Sequence, residues 1–418
     1  MRYLFIVTES ASANGICAKS VMDCLSSDNE IYCVTNQEWN MPTDYVVDNI
    51  YYRAIRPRLT YRIQSMIAKK ALGKTQKWLF TKLNRVMDRI KLTLTLFMWP
   101  LISPAYARRI EMESEKLCQE KKIDCIIPIY TQIDTLIAAS RIKNRHKDIL
   151  YVPYFLDSLS GGYGLKVFNS TQTLRKGLYW ERKLLSNADW IIAMESSRSH
   201  HANHSVAEQY YHRIRYFDLP LLREYTIKPT EQLMDRECCN MVFVGTLPEG
   251  IRSPEYILQV LRHLSGKNYQ FYFVGTDNCA TLNETAKKDS RIHVIGRVSH
   301  EQALQYELQA DVLLNIGNCN PNMTPSKIFE YMSFGKPIIS TMPISEEPSR
   351  QYLERYPLSL LLYENDANAN QTALNISRFI SDCTGKVINQ KLIKDTFYQN
   401  TPDAFASFLR TLDRNKLK

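Results

Sequence analysis

The 418-residue sequence contains no run of 18 or more consecutive apolar residues. A helix needs about 20 such residues to cross a bilayer, so we expect no membrane-spanning helix. Residues 1–9 form too short an apolar segment, with too acidic an end, for a signal peptide. They predict a first buried strand instead. The ten cysteines are scattered without metal-ligand spacing, which indicates reduced thiols and no zinc site.

Acidic residues are almost missing from one stretch. Residues 51–91 contain twelve Lys or Arg and one acid, Asp88, so this stretch carries +11 and the other residues sum to about −1. Charge concentrated in this way indicates one basic surface that faces a polyanion. Apolar residues make up 44% of the chain and charged residues 23%, which is ordinary globular composition. The length predicts two domains, or three.

The basic stretch has helical periodicity. Residues 61–91 predict one or two amphipathic helices, and the apolar, aromatic segment 92–102 that follows is long enough to lie in a headgroup layer. We predict a patch that contacts an anionic membrane or an amphiphilic substrate, made of Lys70, Lys74, Lys77, Arg85, Arg89, Phe97 and Trp99. A core helix with a solvated cationic face is the alternative. Nucleic acid is disfavoured, because no nucleic-acid-binding signature accompanies the charge.

Strands and helices alternate in the first half of the chain, which predicts a parallel sheet. The predicted strands are 3–8, 31–34, 124–129, 150–155, 189–194 and 218–221. Ligands approach such sheets at the carboxyl ends of the strands. Two candidates lie there: Gly15, in the first strand-to-helix turn, and Asp157, which follows the fourth strand. Asp157 could equally be a turn or helix cap. The turn at Gly15 is not G-x-G-x-x-G, so it gives little support to a nicotinamide site.

Histidines cluster at His200, His201 and His204. The i, i+4 spacing of His200 and His204 suits a metal, but the sequence shows no third ligand. We therefore expect surface or interface residues.

A charged segment, 223–240, resembles a linker, and a second α/β domain follows over 241–395. Its strands end in glycines, at Gly245, Gly275 and Gly296, where a ligand can approach the backbone. Ser299 and Gln302 form a capping box at the start of a helix. A last helix is predicted over about 402–413.

The stretch 324–340 reads Thr-Pro-Ser-Lys-Ile-Phe-Glu-Tyr-Met-Ser-Phe-Gly-Lys-Pro-Ile-Ile-Ser. It predicts a helix with Thr324 as N-cap and Pro325 in the first position, ended by Gly335, then a buried strand. Free N–H groups at such a helix start attract phosphate, and Ser326 and Lys327 add a hydroxyl and a cation. Glu330 could accept hydrogen bonds from sugar hydroxyls.

This stretch resembles the donor-sugar helix of GT-B glycosyltransferases of the retaining family 4. It is most similar to capsule and exopolysaccharide enzymes, which often carry P-S-K-x-x-E-Y-x-x-x-G-K-P. The resemblance covers about 240–345 well and the first domain in outline. It implies a GT-B fold of class α/β, with two Rossmann-like parallel-sheet domains facing each other across a cleft. The expected domains are 1–222, with a basic insertion at 51–105, and 241–395, with 396–418 returning to the first domain.

The resemblance also implies the site. The donor-binding residues would be Gly15, Gly245, Arg252, Gly275, Arg297, Val298, Pro325, Ser326, Lys327, Ile328 and Glu330. Asp157 would face the acceptor, and Arg297 and Val298 would lie in the turn that reads the nucleobase. Electrostatic stabilisation of the leaving diphosphate needs no metal or cofactor here.

One position departs from the family pattern. Many members carry two glutamates separated by seven residues; here the second is Glu330, and Asn322 occupies the first position. Asparagine cannot act as a carboxylate nucleophile, so front-face transfer is preferred over a covalent intermediate. The implied reaction moves a sugar from a UDP- or GDP-sugar to a saccharide or polyprenyl-linked acceptor, at the cytoplasmic face of the membrane. A nucleotide-sugar 2-epimerase and a non-catalytic scaffold remain alternatives.

Overall fold

The computed structural model describes residues 1–10, 12–38, 41–59, 61–63, 74–97, 99–161, 169–225, 227, 232–265, 268–276, 278–321, 323–365 and 368–412. The chain divides into two compact units. The first unit comprises Met1–Pro220 and the segment from Pro402 onward, and the second comprises Leu221–Thr401.

The first unit is built on a six-stranded sheet in the order β3-β4-β2-β1-β5-β6, parallel except for the β3–β4 hairpin. Its strands are β1 (Arg2–Val7), β2 (Glu30–Asn36), β3 (Asp44–Val47), β4 (Ile50–Ile55), β5 (Cys125–Pro128) and β6 (Leu150–Tyr151). Its helices are α1 (Ala13–Leu25), α2 (Lys74–Phe97), α3 (Pro104–Lys121), α4 (Ile133–Arg145), α5 (Ser170–Leu185) and α6 (Arg198–His204). The predicted first strand is confirmed, and its residues 3–7 are buried.

A second, three-stranded parallel sheet belongs to the same unit. It pairs β7 (Tyr154–Phe155), β8 (Ile191–Met194) and β9 (Ile214–Phe217). The single strand predicted over 150–155 is therefore wrong, because the chain changes sheets at Pro153. Proline has no N–H to donate to a ladder, and only its carbonyl is used, by the N–H of Ile192 at 2.9 Å. The strand predicted at 218–221 is also wrong, since the pairing ends at Phe217.

The basic insertion predicted at 51–105 does not begin at residue 51, because β4 is a strand of the first sheet. Arg53 on this strand is buried and donates to Asp44 at 2.9 Å and to Glu120 at 3.1 Å. Arg58 pairs with the buried Asp134 at the start of α4. These two cations are neutralised inside the unit and do not add to the basic surface.

The last helix, α14 (Pro402–Thr411), packs against α1 in the first unit. The ring of Phe405 lies 4.7 Å from Tyr154 and 5.4 Å from Phe217. The Tyr3 hydroxyl donates to the carbonyl of Leu409 at 2.8 Å. Strands β1, β7 and β9 thus contact a helix that begins at residue 402.

The second unit has one parallel sheet in the order β12-β11-β10-β13-β14-β15. Its strands are β10 (Cys239–Val244), β11 (Tyr269–Val274), β12 (Ile292–Gly296), β13 (Val312–Asn315), β14 (Ile338–Met342) and β15 (Ser359–Tyr363). Its helices are α7 (Glu255–Arg262), α8 (Ala280–Ala286), α9 (His300–Gln309), α10 (Lys327–Ser333), α11 (Arg350–Leu353), α12 (Ala369–Cys383) and α13 (Gln390–Thr396). The capping box is confirmed, because the Gln302 N–H donates to the Ser299 hydroxyl oxygen at 3.2 Å and the Ser299 N–H to Gln302 Oε1 at 3.3 Å.

No helix in the described ranges is both long enough and apolar enough to cross a bilayer. The long basic helix α2 runs on into the apolar segment predicted at 92–102.

Replacing Phe405 with alanine should destabilise the first unit by about 3–5 kcal/mol, the usual cost of removing a buried aromatic ring from a core. Urea unfolding followed by circular dichroism measures this change. Val206→Ala, at an exposed apolar position in the same unit, is the control and should change stability by less than about 0.5 kcal/mol. Equal effects of the two substitutions would contradict the packing of α14 in this core.

Candidate functional site

In the second unit, the carboxyl ends of β10 and β11 come very close together. Gly275 has φ +93°, and a Cβ built on it would lie 3.0 Å from the carbonyl oxygen of Gly245. A side chain at position 275 would therefore be strained by both its backbone and its neighbour. Glycine leaves the backbone open at the sheet edge where ligands of parallel α/β folds bind.

Arg252 lies beside these strand ends. Its Nε donates to Asn318 Oδ1 at 2.7 Å, and its Nη1 lies 3.6 Å from the position of a Cβ on Gly245. Burial lowers the pKa of the guanidinium, although Tyr331 and Glu347 act in the opposite direction. Among the described residues, no carboxylate lies within ion-pair distance of it. A partly buried guanidinium without a protein counter-ion is suited to bind an anion.

The stretch 324–340 is shorter as a helix than predicted. Helix α10 begins at Lys327, so Thr324 is not its N-cap and Pro325 is not in its first position. Ser326 occupies the cap position without a side-chain cap hydrogen bond. The predicted helix end is confirmed, since Gly335 has φ +68° and strand β14 follows. A Cβ on Gly335 would lie 2.5 Å from the carbonyl oxygen of Ile388.

Lys327 is not a free cation. Its Nζ lies 3.1 Å from Glu307 Oε1 and also contacts Glu330 Oε1. The expectation that Lys327 offers its charge to a diphosphate is therefore not supported by the geometry. Burial raises the pKa of Glu307 well above its ordinary value. Burial also works to raise the pKa of Glu330, but the charge of Lys327 and the hydrogen bonds with Glu307 and Lys327 together lower the pKa overall. Lys327 thus stabilises the ionised form of Glu330.

Glu330 has two further neighbours. Its Oε2 accepts from the Tyr225 hydroxyl at 3.2 Å and lies 3.6 Å from His300 Nε2. Sequence reasoning missed Glu307, Tyr225 and His300. Tyr225 lay in the segment interpreted as a linker, and the capping-box pattern explained only the start of the helix that carries the other two. Nothing in their local sequence could have placed them at Glu330.

In the first unit, the structure brings Asp157 near the Gly15 turn. Asn14 donates to Asp157 Oδ2 at 3.4 Å. The side chain of Asp157 is exposed, but protein atoms close to its carboxyl group raise its pKa, and the Asn14 bond opposes this shift. A Cβ on Gly15 would lie 2.2 Å from the carbonyl oxygen of Glu9, so this turn requires glycine. The carboxyl group and the turn therefore form one polar site at the strand ends.

The other predicted site residues lie in a turn, in the core, in α2 or outside the described residues. Arg297 is exposed and Val298 half-buried in the turn after Gly296, while Ile328 is a core residue of α10. Asn322 and Lys70 lie outside the described residues. Lys74, Lys77 and Phe97 belong to α2.

Helix α2 carries an exposed apolar row beside exposed cations. The apolar residues are Trp78, Leu79, Leu83, Val86, Ile90 and Leu94. Arg85 and Arg89 are exposed on the same helix. Trp99 differs from the rest of the predicted patch, because it is partly buried and packs against the core of the first unit.

Within the described part of the chain, no group of three or more His, Cys, Asp or Glu side chains is arranged to hold a metal. His201 is buried, and His200 bonds to Ser160 at 2.8 Å. The prediction of surface histidines is therefore wrong for His201.

Residues 239–382 match the family model described as "Glycosyl transferases group 1". Three solved structures illustrate the fold. Sucrose-phosphate synthase from Thermosynechococcus elongatus has a TM-score of 0.62 at 13% identity, with 100% of this chain and 99% of that chain covered. HepE of Anabaena in complex with UDP-glucose has a TM-score of 0.57 at 12% identity, with 100% and 97% covered. An Escherichia coli structure described as trehalose-6-phosphate bound with UDP-2-fluoro glucose has a TM-score of 0.58 at 10% identity, with 99% and 100% covered.

The chain has the GT-B fold, and the predicted fold class is confirmed. With the group 1 domain that occupies most of its second unit, it is a transferase enzyme of the glycosyltransferase class. Among curated protein sequences, none matches the chain.

Lys327→Met should destabilise the protein by about 3–5 kcal/mol, because it leaves Glu330 buried without its cation. Urea unfolding at pH 7 measures the loss. Adding Glu330→Gln to this variant should restore much of the lost stability, because the unpaired carboxylate is then removed. If Lys327→Met left stability unchanged, the lysine would be free for a ligand and the ion-pair assignment would be wrong.

Proposed function

We propose that the enzyme transfers a sugar from a nucleotide-diphosphate sugar to a saccharide or lipid-linked acceptor in surface polysaccharide biosynthesis. The observation that carries the proposal is Arg252, a partly buried guanidinium without a carboxylate partner among the described residues, beside the glycine-ended strands of the group 1 domain. A diphosphate supplies the missing negative charge. As the sugar leaves, negative charge grows on that diphosphate, and a fixed guanidinium stabilises it.

Donor recognition is assigned to the second unit. The ionised Glu330, held by Lys327, would accept hydrogen bonds from hydroxyl groups of the ribose or the transferred sugar. Ser326 would add a hydroxyl near the phosphates, and Arg297 and Val298 would border the base. HepE and the Escherichia coli structure are complexes with UDP-sugars, which favours a UDP-sugar over a GDP-sugar as the donor.

Acceptor recognition is assigned to the first unit, at Asp157 and the Gly15 turn. The carboxyl group of Asp157 would hydrogen-bond the attacking hydroxyl and orient it. Front-face transfer with retention of the anomeric configuration is the mechanism we favour. No protein carboxylate then forms a covalent intermediate, and the leaving phosphate oxygen takes the proton of the attacking hydroxyl.

The donor assignment is tested by thermal-shift titration of the full chain with UDP, GDP, CDP and their common sugars. One nucleotide should stabilise the protein saturably. Arg252→Met should weaken that binding by at least about ten-fold, the equivalent of about 1.4 kcal/mol. Arg262→Ala, an exposed cation at the end of α7, is the matched control and should bind as the wild type does. If no nucleotide stabilised the wild type, the glycosyltransferase proposal would lose its donor site.

The acceptor assignment and the stereochemistry are tested on the purified product. Asp157→Asn should lower the rate of transfer at least about ten-fold and leave nucleotide affinity unchanged, because the residue belongs to the acceptor side. Proton NMR of the newly formed glycosidic bond should show the anomeric configuration of the donor. An inverted product would exclude front-face retention.

We further propose that α2 holds the enzyme at the cytoplasmic face of an anionic membrane. Its exposed apolar row and the neighbouring Arg85 and Arg89 combine apolar burial with attraction to anionic headgroups, each basic residue adding about 1 kcal/mol. An amphiphilic, polyprenyl-linked acceptor would be presented at the same surface.

The membrane assignment predicts that Arg85→Glu with Arg89→Glu reduces recovery with phosphatidylglycerol vesicles in flotation several-fold. Lys116→Glu with Lys147→Glu makes the same charge change at exposed positions elsewhere in the first unit and should have little effect. If recovery fell equally in both double variants, vesicle binding would depend on net charge alone and not on α2. Unchanged recovery in the α2 variant would refute the assignment.

A further inference from the structure

The loop that carries Asp157 is held in place by contacts with two helices of the first unit. The residues after it, Ser158, Leu159 and Ser160, are buried, although Asp157 itself is exposed. The N–H of Ser160 donates to Glu181 Oε1 at 2.9 Å, and the Ser160 hydroxyl bonds to His200 Nε2 at 2.8 Å. Helices α5 and α6 thus hold the same residue through its backbone and its side chain.

Glu181 is itself fixed inside the unit. It is 2% exposed, and its Oε2 accepts from the Tyr210 hydroxyl at 3.2 Å. Helix α5 approaches the loop so closely that a Cβ on Gly177 would lie 2.5 Å from the Cα of Ser160. A carboxyl group in this place can only be retained if each of its oxygens has a donor. The contacts to Ser160 and Tyr210 meet that requirement.

We propose that Glu181 is a positioning residue for the acceptor side of the reaction. By holding the backbone of Ser160, it fixes the loop so that Asp157, three residues earlier, points at the acceptor hydroxyl. This inference rests on the proposed function of Asp157. The Ser160–His200 pair is a second anchor and not a nucleophile with its base, because Ser160 is 3% exposed.

The contacts of Glu181 make the anchor sensitive to pH. Burial raises the pKa of Glu181 to about 7, which the hydrogen bonds from Ser160 and Tyr210 oppose and the charge of Glu208 supports. Burial and the neighbouring His204 lower the pKa of His200 to about 4, so it stays neutral when Glu181 titrates. The ionised carboxylate accepts from both donors, whereas the protonated group has one oxygen occupied by its own proton. The anchor is therefore complete above about pH 7.

The experiment compares Glu181→Leu and Glu181→Gln in the full chain. The leucine removes both hydrogen bonds, and the glutamine keeps an acceptor for Ser160. With the donor and acceptor found in the assays above, Glu181→Leu should lower kcat at least about ten-fold with unchanged donor KM, and Glu181→Gln should restore it to within about three-fold. The wild-type kcat should rise with a midpoint near pH 7, and this rise should be absent in Glu181→Gln.

Glu208→Gln is the matched control, because Glu208 pairs with Arg182 on the surface of the same region. It should keep both the rate and the pH-dependent rise, with the midpoint shifted slightly down. Full activity in a folded Glu181→Leu variant, or a rise with its midpoint near pH 7 that persists in Glu181→Gln, would overturn the proposal. If the leucine variant does not fold, the pH profile of the glutamine variant decides.

Hydrogen–deuterium exchange separates this inference from the proposed function. In Glu181→Leu, a peptide that covers residues 156–161 should exchange at least about ten-fold faster than in the wild type, with β1 and β5 unchanged. Unchanged exchange would refute the anchor. If the wild type binds no nucleotide in the thermal-shift assay, the proposed function fails, and the exchange result still decides whether Glu181 holds the loop.

Discussion

Parallel strand pairing is the constraint on which both candidate sites depend. In a parallel sheet every strand ends at the same edge, so residues far apart in sequence meet there without any local signal. Gly245 and Gly275 are brought within van der Waals contact by the pairing of β10 with β11. In the first unit, an isolated parallel bridge between Ile129 and Tyr154 connects the two sheets, and Asn14 beside Gly15 donates to Asp157 after β7. The charged groups are then arranged around these edges.

Charged side chains that are paired within the protein stabilise the fold, whereas a cation without a carboxylate partner is available to bind a ligand. Lys327 is bound by two carboxylates, and Arg53 and Arg58 are bound by acids inside the first unit. Arg252 has no such partner among the described residues. A partly buried guanidinium without a carboxylate partner is suited to bind an anion, and the proposed donor site is built on Arg252 for this reason. Under the proposed function, Glu330, which Lys327 helps to keep ionised, accepts hydrogen bonds from hydroxyl groups of the donor.

The sequence predicted much of the fold and part of the site. Short apolar runs predicted β1, β11 and β14, and Ser299 with Gln302 predicted the start of α9. The prediction from sequence failed where a local pattern was compatible with two different structures. Thr-Pro-Ser-Lys has the form of a helix start, but the helix begins at Lys327. The apolar run 150–155 has the form of one strand, but Pro153 divides it between two sheets. Arg53 appeared to belong to a basic surface, although it is buried in ion pairs.

By itself, the sequence determined the class of fold and the position of its glycine turns, because periodicity and backbone freedom are local properties of a few neighbouring residues. It also placed Asp157 and Arg252 after predicted strands and Glu330 within the helix of the stretch 324–340. Only the tertiary structure decided what those side chains contact. Glu307 reaches Lys327 across 20 residues, Tyr225 reaches Glu330 across 105, and Glu181 reaches Ser160 across 21. Such contacts follow from how helices pack on a sheet, and no spacing in the chain encodes them.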